Sequence, residues 1–445
     1  MTNTISTSDT HNTDLSMPHS ANHDDQNYAT LTDALEQTVF ENFDDGLYIG
    51  MMSGTSLDGM DAVLCQFNSN DEQNTPKPMQ LLASYSQDFP ARLREVLLAL
   101  CQANGVTDLT VDVDEPTELK SELDWFGWAS KAYGEFASEV VNNLLQQADI
   151  EAESVLAIGC HGQTVRHRPQ LGFSLQLVDA NIIAERTGIS VVNDFRRRDM
   201  AVGGQGAPLV PAFHQALFAH ADSNRVLLNL GGIANITLLP ATTMNEQSSQ
   251  QVLGYDTGPA NLLLDAWAKQ HIDTDYDANG AWAKSGQVIE PLLNQLLGHP
   301  FFGQSYPKST GREDFNVDWL QAQLQKFDQT STDIRYSSAD VQATLTELTA
   351  ISACDQINEL ITNQANSAVY VCGGGALNSY LMQRLQAHLP HCLVATTTEI
   401  GLEPIWVEAV AFAWLARQTL MGEVGNLPAV TGANKGVVLG QVCFA

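Results

Sequence analysis

The sequence predicts an α/β fold built from two related halves packed around a cleft. Three observations carry this expectation. A strand, a glycine turn and a returning strand open the folded part at Leu47–Met51 and Asp61–Phe67. The same arrangement recurs at Arg225–Leu230 and Ile233–Leu239. Each opening leads into helical periodicity, and 445 residues are enough for about two to three domains.

Taken in order, residues 1–45 contain nine acids and no Lys or Arg, which predicts a disordered acidic tail. After the first hairpin, Met79–Tyr85 reads as a third strand of a meander. Helical spacing follows at Arg92–Cys101 and at Trp125–Gln147, where Phe126, Ala129, Tyr133, Phe136, Val140 and Leu144 recur at three- and four-residue steps. Short strands return at Val155–Cys160 and Ser190–Asn193. The second half continues with helices at Pro259–His271 and Val341–Ile361, a strand at Ala368–Cys372 and a helix after Gly373–Gly375. Residues 46–224 are thus expected as the first domain, completed by a C-terminal helix within 404–420, and residues 225–400 as the second.

With 21 Lys+Arg against 52 Asp+Glu, the net charge is −31. Affinity for nucleic acid and anionic membranes comes mainly from Lys and Arg, so neither is an expected partner. No apolar run approaches the roughly 18 residues of a membrane span. The seven cysteines are scattered without a C-x-x-C pair, the usage of a reduced compartment with neither disulfide framework nor zinc site. The N-terminus lacks the basic and apolar regions of a secretory signal, and a cytoplasmic location is the expectation.

The chemistry concentrates in glycine turns. Gly50-Met-Met-Ser53-Gly54-Thr55-Ser56-Leu57-Asp58-Gly59-Met60-Asp61 places glycines and hydroxyls in a hairpin, where backbone N–H groups can cradle a phosphate. Alone, this is also what an ordinary hairpin looks like. Recurrence shifts the balance: Asn229-Leu-Gly231-Gly232 is a second such turn, and Gly373-Gly374-Gly375 a third, placed between strand and helix. Asp256-Thr257-Gly258-Pro259 precedes a further helix, with Pro259 suited to a first helical position. Nucleotide binding is the better reading of the set.

Arginine is scarce, yet Arg166, Arg168, Arg196, Arg197 and Arg198 fall within 33 residues, bracketing His161-Gly-Gln163-Thr164 and Asn193-Asp194. They offer an acidic chain a local positive field. Asp194 follows an apolar strand, whose end would present it to a cleft. A lone Asp there is as often a turn former or ion-pair partner as a general base, and both readings stand. Gly203–Pro208 reads as a flexible loop, with a closing role open to it. Glu408 is the one acid on the apolar Ile405–Leu415 helix, where a carboxylate is expected to be paired or functional.

These residues resemble the signature of the anhydro-N-acetylmuramic acid kinases. The match runs through Ile49–Asp61, His161–Pro169, Asn193–Arg196, Gly203–Leu209, Asn229–Asn235, Asp256–Pro259, Pro307–Glu313 and Gly373–Asn378, in that order, over roughly residues 46–420. The resemblance implies two related actin-like ATPase domains around a central cleft, the superfold of sugar kinases and heat-shock chaperone ATPases. It implies an enzyme of peptidoglycan recycling that uses ATP, Mg²⁺ and water. The reaction converts 1,6-anhydro-N-acetylmuramic acid into N-acetylmuramic acid 6-phosphate.

By the same similarity Asp194 matches the general base. Gly54, Thr55, Ser56, Leu57, Asp58, Gly59, Met60 and Asp61 would hold the ATP phosphates, with Gly231, Gly232, Gly258 and Gly374 bordering the nucleotide. His161, Gln163, Arg196 and Glu408 are the expected sugar contacts. Met52 stands where the broader superfold usually carries an Asp, which fits a base role moved to Asp194. A homodimer is expected on family grounds. The alternatives are a kinase of another amino or anhydro sugar, a non-enzymatic ATP-binding module, and a glycoside hydrolase using Asp194 and Glu408.

Overall fold

In the computed structural model, residues 43–54, 57–68, 79–242, 251–331, 333–361 and 366–445 are described. Most of the acidic N-terminal stretch, and the Thr55 and Ser56 assigned to phosphate, lie outside them. The strands are β1 (Gly46–Met52), β2 (Gly59–Phe67), β3 (Met79–Asp88), β4 (Val155–Cys160), β5 (Gln163–Arg168), β6 (Phe173–Leu177) and β7 (Val191–Asn193). There follow β8 (Asn224–Leu230), β9 (Ile233–Leu239), β10 (Leu253–Pro259), β11 (Ser367–Cys372), β12 (Leu393–Thr396) and β13 (Gln441–Cys443).

The duplication is explicit in the sheets. One runs β13-β7-β4-β1-β2-β3 and the other β10-β9-β8-β11-β12, with β5 and β6 forming a separate hairpin. In the first, β1 pairs antiparallel with β2 and parallel with β4, and β4 pairs parallel with β7. In the second, β8 pairs antiparallel with β9 and parallel with β11, and β11 pairs parallel with β12. Apart from the antiparallel edge strand β13 of the first, both sheets therefore carry one order and one set of strand senses, three antiparallel strands followed by two parallel ones. This is the actin-like α/β arrangement.

Local chemistry explains the principal helices. Ser121 and Asp124 form a capping box at the start of Glu122–Ala148, and Ser337 and Asp340 do the same for Ser338–Leu360. The helix Val407–Leu420 is apolar on nearly every side because it is enclosed on nearly every side. Its core cluster joins Tyr48 and Val63 of the first sheet to Leu227 and Tyr370 of the second. Gly50 and Gly159 make its close approach possible. A Cβ on either would lie about 2 Å from the carbonyl oxygen of Ala409 or Phe412.

Three sequence expectations change. Phe43–Asp45 are tied to the fold, not part of a free tail: Tyr48 Oη donates to the Phe43 carbonyl (2.6 Å), and Arg417 binds the Asp44 carbonyl (2.8 Å) and carboxylate. Pro259 ends β10, and the helix it was expected to open begins at Asn261. The segment after residue 420, to which no element was assigned, supplies β13, antiparallel to β7.

Candidate active site

All three predicted glycine turns converge on a single cleft of about 850 Å³. Gly54 and Asp58 reach it from the β1–β2 hairpin, Gly231 and Gly232 from the β8–β9 turn, and Gly374 from the short 3₁₀ turn Gly374–Leu377. Gly373, just before, has φ +78°, and a Cβ there would meet Asn229 Oδ1 at 2.5 Å. Only glycine lets this turn pack onto the end of β8.

The remaining predicted phosphate residues separate by role. Leu57 and Met60 bury their side chains in the core, and Gly59 packs its Cα against the Gln87 carbonyl of β3. Asp61 accepts a hydrogen bond from Ser86 Oγ, and burial raises its carboxyl above the usual value. Gly258 does not line the cleft. It sits in β10 against the ring of Phe302 and Ser352 Oγ. The helix Asn261–Ile272 behaves differently from expectation too. The N–H groups of Ala260, Asn261 and Leu262 donate to the Gly232, Gly231 and Gly232 carbonyls (3.0, 3.0 and 3.1 Å), so they are spent on the turn and not aimed at a phosphate.

The cleft holds charge of both signs. Arg94 anchors the hairpin tip, donating to the Leu57 carbonyl (2.8 Å) and to Asp58 (2.9 Å). Arg312, from the Pro307–Glu313 motif, lines the same space, and Asp58 is among the charges that act on it. Asp265 faces Asp58 and Asp275 electrostatically. Burial first, and then those two carboxylates, push its pKa up to about 7. Below that pH Asp265 is neutral; above it a ligand phosphate in this cleft would meet one more negative charge. Nucleotide affinity should therefore fall as pH rises through about 7, by more in the native protein than in Asp265→Asn. Calorimetric titration from pH 6 to 8 tests this, because phosphate ionisation is common to both proteins. Parallel profiles would remove Asp265 from the account.

Deeper in, Glu408 accepts a hydrogen bond from Asn229 Nδ2 (3.0 Å), joining the first turn of the C-terminal helix to the end of β8. Burial raises its pKa, opposed by Asn229 and the Arg196 charge. Arg196 reaches His161 Nε2 through Nε (3.2 Å) and Nη2 (2.9 Å), and donates to the Gly206 carbonyl (2.8 Å). A guanidinium only donates, so His161 Nε2 accepts and the proton of the neutral ring sits on Nδ1. Burial and that guanidinium hold the imidazole pKa well below its ordinary value. Nδ1 of His161 and Oε1 of Gln163 are both enclosed without a hydrogen-bond partner.

Asp194 follows β7 directly, with φ 55° and ψ 47°, and its carboxylate accepts from Arg197 Nε (2.6 Å). It does not line the main cleft. It opens instead into a depression of about 490 Å³ shared with Arg197, Arg198, Val438, Gly440 and Gln441. The two spaces lie on one edge of the sheet. β1, β4 and β7 are adjacent and parallel, so Met52, His161 and Asp194 succeed one another at their carboxyl ends. Two strand spacings put Asp194 roughly 10 Å from the end of β1.

The expected five-arginine field around Asp194 does not form. Arg197 alone of the five binds it. Arg166 binds the carbonyls of Leu100 and Gln102 and pairs with Glu122 (2.6 Å), and Arg168 donates to the His167 carbonyl. Nor is Gly203–Pro208 a loose loop. Asp199, fully buried, accepts from the Gly206 N–H (2.8 Å), Asn426 Nδ2 (2.6 Å) and Thr431 Oγ1 (2.7 Å). Sequence reasoning missed Asp199, Asp265, Asn229 and Arg312. Only Arg312 and Asn229 had a signal, as members of quoted motifs.

Two sheets of one strand order, with glycine turns lining one cleft, define the class as an α/β protein built from two related halves. The model of the family Anhydro-N-acetylmuramic acid kinase matches residues 46–445, about 25 residues beyond the roughly 46–420 span of the sequence resemblance, and includes β13. The chain is 76% identical over 438 residues to the anhydro-N-acetylmuramic acid kinase of Psychrobacter arcticus, covering 95% of this chain and 100% of that protein. It is 48% identical over 397 residues to that of Shewanella amazonensis, covering 88% and 97%. The chain belongs to the anhydro-N-acetylmuramic acid kinase family and is a kinase. A ROK family glucokinase from Streptomyces griseus aligns at TM-score 0.35 and 15% identity over 84% of this chain and 100% of that one, a likeness too slight to bear on the site.

Proposed function

We propose that the chain opens 1,6-anhydro-N-acetylmuramic acid with water and phosphorylates its O6 from ATP. The products are N-acetylmuramic acid 6-phosphate and ADP, a step of cell-wall recycling. Family membership together with the convergence of three glycine turns on one cleft carries this reading. Asp194 takes a proton from water as the water oxygen bonds to the anomeric carbon; the bond from that carbon to O6 breaks, and O6 takes the γ-phosphoryl group. Attack by carboxylate-activated water is the inverting-glycosidase move, with phosphoryl transfer replacing protonation of the leaving group.

The roles proposed for single residues draw on the family resemblance together with position. Gly54, Asp58, Gly231, Gly232 and Gly374 border the nucleotide. His161 and Gln163, each with an enclosed polar atom lacking a partner, contact the sugar together with Arg196 and Glu408. Mg²⁺ would neutralise charge on the transferring phosphoryl group. The described residues contain no cluster of three or more His, Cys, Asp or Glu able to hold a metal. Asp58 is the cleft carboxylate nearest in chemistry to that task.

Among the described residues no helix is long and apolar enough to cross a membrane. A cytoplasmic homodimer, and division of the chain at residues 224 and 400 into the domains expected from sequence, belong to the same proposal. The test mixes protein, Mg²⁺-ATP and the anhydro sugar in H₂¹⁸O and follows products by mass spectrometry. ADP, the 6-phosphate and label at the anomeric hydroxyl are expected. Turnover of another sugar but not this one, or label on phosphate, would overturn the assignment.

A further inference from the structure

Two large apolar side chains are exposed where the nucleotide cleft has no evident need of them. Tyr276 is 65% exposed and Leu377 is 61% exposed, and both line the 850 Å³ cleft. They come from segments held against each other. Ser379 Oγ donates to the Asn279 carbonyl (3.2 Å), and a Cβ on Gly280 would stand 2.3 Å from Asn378 Oδ1. The frame presenting the two side chains is therefore tightly packed, while the side chains themselves meet solvent.

Asp277, Asn378 Oδ1 and Lys269 beside them are already committed. Both carboxylate oxygens of Asp277 accept backbone N–H groups, from Trp282 (2.9 Å) and Ala283 (2.8 Å). Asn378 Oδ1 caps the next helix through the Leu381 N–H (3.0 Å), and Lys269 pairs with Asp273 and Asp275 (3.3 Å each). Beside the Asn279 amide, what this end of the cleft offers a ligand is a flat ring and an apolar side chain. A planar heteroaromatic base suits that surface, and stacking is indifferent to the base's hydrogen-bonding edge.

We propose that Tyr276 and Leu377 hold the nucleobase by stacking, making Tyr276 an affinity determinant and leaving the kinase weakly selective among purine triphosphates. The inference rests on the kinase reading above. It assigns Gly54 and Asp58, from the opposite half of the cleft, to the phosphate end.

Two measurements test it. In steady-state kinetics, Tyr276→Ala should raise the nucleotide KM about tenfold while kcat changes less than about threefold, and Tyr276→Phe and Tyr276→Trp should restore KM. ATP and GTP should show KM values within about tenfold of each other in the native protein. A KM unmoved by Tyr276→Ala, or GTP weaker by more than about a hundredfold, would overturn the proposal. In a sugar-free titration with a fluorescent ADP, the same loss in Tyr276→Ala supports stacking even if the sugar assignment is wrong. Native protein that turns over no sugar yet binds ADP through Tyr276 would overturn the kinase reading alone. Native protein that binds no nucleotide overturns both.

Discussion

Asp194→Asn should lower turnover at least about 10²-fold, and as much as about 10⁴-fold, while nucleotide affinity stays within a few-fold. An amide cannot take the proton from water, yet it is nearly the same size and sits in the same left-handed turn after β7. Nucleotide affinity should survive because Asp194 opens into its own depression and lines no part of the glycine-turn cleft. Arg197 loses its carboxylate, but its side chain is 56% exposed and water can replace that partner. Single-turnover kinetics with the anhydro sugar, alongside a nucleotide titration, separate chemistry from binding. Retained turnover would remove Asp194 as the base; a parallel collapse of both would point to misfolding.

The largest loss of stability is expected at Asp199. Its side chain is fully buried and gathers three donors from Gly206, Asn426 and Thr431, so one carboxylate ties the Gly203–Pro208 loop to the C-terminal segment. Gly204 belongs to the same knot, since a Cβ there would lie 2.1 Å from Asp199 Oδ2. Asp199→Ala strands three donors without water at about 1–3 kcal/mol each, less whatever the site relaxes, for a net loss of about 3–5 kcal/mol. Arg196 should lose its hold on the Gly206 carbonyl at the same time, loosening the contact to His161. Urea denaturation reads the stability change, and a shift below about 1 kcal/mol would show that the loop is held by something else.

Asp199 also shows why part of the site was not legible in the chain. Its partners Asn426 and Thr431 are more than 200 positions away, and nothing in the run Arg196–Arg197–Arg198–Asp199 marks the last residue as the buried one. The neighbouring arginines misled for the same reason. Closeness in sequence implied one positive field, whereas the short helix Phe195–Ala201 points Arg196 to His161 and Arg197 back to Asp194. Arg166, on β5, turns away to the carbonyls that end the helix Ala91–Leu100. Asp265 is a similar case: an ordinary acid on an amphipathic helix, unusual only because folding buries it and brings Asp58 and Asp275 to it.

By contrast, β1–β4, β7–β9, β11 and the glycine turns were readable because their causes are local, whereas β5, β6, β10, β12 and β13 were not read from the sequence. β4 and β9 stand at Val155–Cys160 and Ile233–Leu239, the residues their apolar runs marked out. Pro259 was misplaced because a local rule for helix starts met a strand that continues through it.

The sequence by itself determined the duplicated α/β plan, the glycine turns and the family, since periodicity, turn chemistry and ordered motifs are written in neighbouring residues. Only the tertiary structure decided that Gly258 packs a core while Gly374 borders the cleft, that Asp194 stands apart in its own depression, and that the last 25 residues of the family match brace it through β13. Those facts depend on which distant backbones approach one another. That is set by burying Val407–Leu420 between two sheets, a long-range packing choice that no short window of residues contains.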